Sequence, residues 1–158
     1  MSPDPTNERD FERLPDGDLS SAVEDGGGIW CVRASDTHRG WNNIRYKTGL
    51  SGKNVGAEKL SMNVATIPPG GVAFAHIHVD FDVMLYILQG TVRHEYGERL
   101  EKVLINGPGD FIYIEPGMPH EVFNVSDTEE VVAVVARSDA TEWENIVPFE
   151  RPTETEGE

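Results

Sequence analysis

From Ile29 onward the chain is a succession of short, β-rich stretches separated by turns of proline and glycine, and this rhythm limits the fold more than any other feature. The stretches are 29–34, 59–67, 72–78, 83–89, 91–96, 101–105, 111–114, 120–125 and 130–137. Each has the usual length of a strand, and no comparable segment carries a helical period apart from a single turn expected at 141–145. Pro68-Pro69-Gly70-Gly71, Gly107-Pro108-Gly109-Asp110 and Glu115-Pro116-Gly117-Met118-Pro119 join prolines that preset φ to glycines that accept positive φ, so each reverses or bends the chain. Gly90 stands between two strand patterns, where a missing Cβ permits a tight bend. Many short strands with regular turn signals predict an all-β sandwich or barrel. Residues 39–57, polar and glycine-containing, read as a loop or arm.

Composition narrows the function classes. With 158 residues and 38% hydrophobic content, one domain with an ordinary core is expected. The charge of -15, from 28 acidic and 13 basic residues, repels phosphate backbones and anionic membranes, so neither is expected as a partner. Acidic residues crowd both ends, which predicts solvated, poorly ordered termini. Cys31 is the only cysteine, so no disulfide forms within the chain, and its place in Ile29-Trp30-Cys31-Val32-Arg33 predicts a buried, inert thiol. The first twenty residues hold no apolar leader, and the longest apolar runs, 83–88 and 131–136, are too short to cross a bilayer. A soluble, cytoplasmic protein is the expectation.

Histidine spacing is the strongest chemical signal. Side chains alternate along an extended strand, so His76 and His78 project to one side with Ile77 opposite. Two imidazoles on one face can chelate an ion, and His120, which opens another stretch after the Pro116-Gly117 turn, is the candidate third ligand. Neutral imidazole suits Fe(II), Mn, Ni, Cu and Zn, and three such ligands leave positions open for water, oxygen or substrate. The same spacing also fits satisfied histidines in a barrel interior.

The run Gly70-x5-His76-Ile77-His78, continuing to Tyr86-Ile87-Leu88-Gln89-Gly90, resembles the first motif of the cupins, G-x5-H-x-H-x(3,4)-E-x6-G. Gly109-x5-Glu115-Pro116-Gly117-x2-His120-x3-Asn124 resembles the second, G-x5-P-x-G-x2-H-x3-N, with Glu115 in the place of its first proline. The resemblance covers roughly residues 58–137. It implies a cupin fold, the double-stranded β-helix or jelly-roll barrel, expected here over residues 28–151. Short extra segments flank it, acidic and poorly ordered at 1–27 and at 152–158. It further implies one divalent metal ion per chain, held by His76, His78 and His120, and frequent dimerisation. The motif's usual glutamate ligand is missing: Val83 occupies its place and Asp82 precedes it. A shift of one residue turns a strand side chain to the opposite face, so Asp82 is a candidate ligand only if a bulge rotates it inward.

His94 shares a strand face with Val92 and Tyr96, which makes it a candidate fourth ligand, catalytic base or hydrogen-bonded interior residue. Glu115 and Glu121 flank His120 as candidate acceptors for its ring or as solvated carboxylates. His38 reads as a surface loop residue. The expected function is that of a metal-binding, small-molecule enzyme, such as a dioxygenase, because a histidine-only site lacks an anionic ligand. A non-catalytic small-molecule binding or sensing protein, or an isomerase, decarboxylase or lyase of the same fold, are the alternatives. The end segment 143–151, with Ile146, Val147 and Phe149, can dock on the barrel or on a second subunit, and together with the apolar run 83–88 it predicts a homodimer.

Overall fold

The computed structural model describes residues 23–33, 38–141 and 145–152. Thirteen strands and one short helix follow one another among them. They are β1 (Val23–Asp25), β2 (Trp30–Val32), β3 (His38–Trp41), β4 (Ile44–Leu50), α1 (Gly52–Val55), β5 (Ser61–Ile67), β6 (Val72–His78), β7 (Val83–Gln89), β8 (Val92–Tyr96), β9 (Lys102–Asn106), β10 (Phe111–Ile114), β11 (His120–Asn124), β12 (Val131–Arg137) and β13 (Ile146–Pro148). Six strands form one antiparallel sheet in the order β10-β7-β12-β5-β4-β3, and five form a second in the order β13-β6-β11-β8-β9. The two sheets are not closed into a continuous hydrogen-bonded barrel, but their inner faces share one apolar core, built around Ile44, Ile67, Ala73, Ile87, Val92 and Val135. No helix among the described residues is long and apolar enough to cross a membrane.

Sequence alternation explains which side chains enter that core. On β12, Val131, Ala133, Val135 and Arg137 are buried while the residues between them are only partly covered. On β7, Val83, Leu85 and Ile87 face inward, and Met84 and Leu88 face out, half exposed. The apolar run 83–88 is thus a strand with an apolar outer face as well as an inner one. Gly90 ends it at φ +86, and a Cβ there would lie 2.5 Å from the Glu130 carbonyl oxygen, so only glycine fits the corner.

Two expectations are corrected. Residues 39–57 are not a loop or arm: β3 and β4 form a hairpin, and β4 pairs with β5 inside the six-stranded sheet. Ile44 and Tyr46 alternate inward from it, and Gly49 lies at its register shift, where a Cβ would collide with the Met62 carbonyl. Residues 23–25 of the segment expected to be poorly ordered pair with β2. Of the two places open to the apolar end, the barrel or a second copy, it takes the first: β13 covers the edge of β6, with Ile146 opposite His78 and Pro148 opposite His76. The expectations for 1–22, for 153–158 and for most of a turn at 141–145 fall outside the described residues.

Candidate metal centre

His76 and His78 reach the interior through an irregularity in β6. Its buried residues switch parity, from Ala73 to His76 and His78, because the pairing with β11 shifts register: Val122 lies opposite Ala73, yet His120 lies opposite His76. Two residues of β6, Phe74 and Ala75, thereby oppose Glu121 alone, a β-bulge that turns both histidines to the side Ala73 faces. His120 is delivered to the neighbouring position by the turn before it, where Gly117 at φ +80 donates its N–H to the His78 carbonyl at 2.8 Å.

The three imidazoles gather tightly. Each offers a nitrogen within 4.8 Å of the others, and ring centroids are 4.3 Å apart for His76 and His120, 4.7 Å for His78 and His120, and 5.0 Å for His76 and His78. Backbone carbonyls orient two of them. The His76 Nδ1 lies 2.7 Å from the Phe74 carbonyl oxygen and the His120 Nδ1 lies 2.9 Å from that of Met118, so Nδ1–H donates in each and the Nε2 lone pair is left for an ion. Asn42, missed by the sequence reading, steadies this arrangement: its side chain bonds both the N–H and the carbonyl of Phe74, at 3.1 Å each. A signal for it existed, because asparagine tolerates the positive φ that a two-residue hairpin turn needs at both positions, here 51 at Asn42 and 62 at Asn43.

All four barrel histidines are held neutral. Burial pushes His120 down to about 4 and, helped by the charge His120 would carry, pushes His94 down to about 3. Burial, then repulsion from neighbouring histidines and from Arg137, holds His76 and His78 well below the ordinary imidazole value. Neutral, preoriented imidazoles are the protonation state a divalent ion needs. The His78 Nδ1 is buried without a hydrogen-bond partner among the described residues, a further sign that this polar cluster fits a bound ion.

Other expected residues sit elsewhere. Val83, in the glutamate position, is inward and buried, as parity requires. Asp82 is not brought to the histidines: its carboxylate accepts from the Tyr113 hydroxyl at 2.7 Å, and its backbone is tied to Ser138 by bonds of 2.8 and 3.1 Å. No bulge rotates it inward. His94 lines the same cavity, but its ring centroid is 6.2 Å from that of His120, outside the three-histidine group, and neither of its nitrogens has a partner among the described residues. Glu121 does not orient the His120 ring; it accepts from Arg151 at 2.9 and 2.6 Å on the outer face, and Glu115 is exposed. His38 opens β3 rather than lying in a loop.

The cavity that these histidines share measures about 70 Å³ and is otherwise walled by aliphatic residues, Tyr46 and Arg137. Arg137 went unnoticed in the sequence, although alternation along 131–137 puts it on the apolar face. Its Nη1 donates to the Asn63 Oδ1 at 3.3 Å, and its guanidinium stands 5.4 Å above the centre of the Tyr46 ring.

A family model described as a cupin domain matches residues 63–136. No curated protein matches the chain. Among solved structures, oxalate oxidase is 24% identical, with a TM-score of 0.55, over 68% of this chain and 56% of its own; this chain thus spans about half of that protein's length. The polyketide cyclase RemF from Streptomyces resistomycificus is 18% identical over 72% of this chain and 75% of its own, with a TM-score of 0.56. An uncharacterized protein with a double-stranded β-helix domain from Klebsiella pneumoniae is 15% identical over 84% and 94%, with a TM-score of 0.57. At such identities the likeness is one of fold.

Proposed function

We propose, from the premise that this chain belongs to the cupins through the domain at residues 63–136, that it is a metal-dependent enzyme acting on a small molecule inside its barrel. The observation that carries this reading is the cluster of His76, His78 and His120, buried, neutral and within 4.8 Å of one another at the wall of an apolar cavity. These residues would hold one divalent ion, which supplies Lewis acidity and, as Fe(II), oxygen chemistry. Carbonyls of Phe74 and Met118 fix two of the rings, so little reorganisation is needed on binding. Aliphatic walls exclude water and strengthen every charge interaction inside. His94, neutral with both nitrogens unpartnered, would share a hydrogen bond with the substrate; its pKa of about 3 makes it a poor general base near neutral pH.

Oxygen-dependent chemistry is the preferred reaction class, because neutral ligands leave the full charge of the ion to substrate and oxygen. Elemental analysis of protein purified without chelator or affinity-tag metal should find about one first-row divalent ion per chain. Oxygen uptake with Fe(II) and a library of small oxygenated compounds should then find a substrate. Failure to take up any of Fe(II), Mn, Ni, Cu or Zn would sink the metal reading. Metal without oxygen uptake would sink the oxygenase and favour a binding protein or a redox-neutral cupin reaction.

A homodimer is also proposed. Phe111, Met84 and Leu88, at 81, 57 and 50% exposure, stand on the outer face of the six-stranded sheet and support a second copy packing there. Sedimentation equilibrium at high micromolar concentration should show the dimer, and a purely monomeric species would overturn it.

A further inference from the structure

Among the described residues that wall the barrel cavity, Arg137, only 3% exposed, is the one cationic side chain, and none is acidic. A buried guanidinium is costly unless an anion compensates it. Among the described residues it has none within ion-pair reach: its partners are the Asn63 Oδ1 and the face of Tyr46. Asp139 feels its charge, but that carboxylate is turned toward Thr141, at 2.8 and 2.5 Å, and toward Asn145, at 2.6 Å. Directly across the strand pair from Arg137 stands Val83, at the position where the cupin motif places a glutamate. Val83 presents an isopropyl group there, which offers the guanidinium no charge. Beside it, the Asn63 Nδ2 is buried with no acceptor.

We propose that Arg137 anchors a carboxylate-binding subsite, so that the molecule this barrel takes is a small carboxylic acid. Arginine presents a planar fork that pairs with both oxygens of a carboxylate, and the Arg137 guanidinium lies over the Tyr46 ring, 5.4 Å from its centre. The cavity of about 70 Å³ is roughly half the ~150 Å³ that accepts benzene, so only a few non-hydrogen atoms fit inside. The ligand is a short acid, or a longer one that leaves its tail in the mouth. This rests on the barrel being the substrate site, and places the carboxylate at Arg137 and the rest of the molecule toward the three histidines.

The test uses the full chain at pH 7.5, first stripped of metal and then loaded with diamagnetic Zn(II), with acetate and its neutral isostere acetamide as probes. Acetate should shift the Arg137 side-chain Nε–H resonance saturably in the metal-free protein, and acetamide should not. Arg137→Gln should weaken acetate binding at least about tenfold. Asn63→Asp sets a carboxylate against the guanidinium at unchanged volume and should block acetate as strongly, which decides the matter if Arg137→Gln fails to fold. Equal responses to acetate and acetamide, or acetate binding untouched in both variants, would overturn the proposal. Zn(II) content of the same samples separates the two readings. Zn(II) uptake without an acetate response sinks the carboxylate subsite alone, while acetate binding through Arg137 without Zn(II) uptake upholds it and sinks the metal centre.

Discussion

His76→Ala, His78→Ala and His120→Ala are each expected to lose metal almost completely, whereas Asp82→Asn keeps it. Each histidine would supply one of three direct bonds to the ion, and losing one should lower affinity by roughly a hundredfold or more, since even indirect supports of a metal site are worth ten- to a hundredfold. Asp82 makes no such contribution, because its carboxylate is held by the Tyr113 hydroxyl at 2.7 Å. Its charge reaches the site only as a solvent-screened attraction. Metal per chain, measured after equilibration with limiting Zn(II) and with folding checked by circular dichroism, decides between them. If Asp82→Asn empties the site as the histidine variants do, Asp82 enters the coordination shell on metal binding. If all four variants stay loaded, the ion sits elsewhere, and His94 is the next residue to replace.

The sequence made the three histidines legible because two short spacings and one turn locate them, and because strand parity is a local property. Parity likewise assigned Val83 to the interior and Asp82 away from it. Parity alone did not reveal how His76 and His78 come to face the core on the same strand as Ala73. That needs the bulge at Phe74 and Ala75, visible only once β6 is paired with β11. β4 was hidden for a related reason: polar and glycine residues surround Ile44 and Tyr46, and their burial comes from β5 beside them rather than from their own segment. Arg137 is a different case. Its alternation was readable, but that a cation on an apolar face lacks a carboxylate follows only from its neighbours, with Val83 across from it and Asn63 at its fork. Pairing, not composition, made these features visible.

Metal-free protein is expected to unfold in mild acid, near pH 5, well above the range in which carboxylate pairs alone would fail. His76, His78, His94 and His120 are all buried, and all are held below the ordinary imidazole value of 6.5, with His120 at about 4 and His94 at about 3. In the unfolded chain each takes up a proton near pH 6.5, while in the fold each resists protonation. The unfolded state therefore binds more protons below that pH, so stability is complete above it and falls as pH drops through the window between the unfolded and folded values. Each histidine contributes about 1.4 kcal/mol per pH unit, or about 5 to 6 kcal/mol for the four together, comparable with the whole stability of an ordinary domain. A bound divalent ion opposes this by engaging the neutral imidazoles, so Zn(II) should move the acid midpoint lower. Circular dichroism melts from pH 8 to pH 3, with and without Zn(II), provide the measurement. His94→Leu removes one of the four protons while leaving the metal trio whole, and should make the metal-free slope of stability against pH shallower by roughly a quarter. Metal-free protein that remains folded at pH 3 would show that the imidazoles take up protons within the fold and are not held neutral by it.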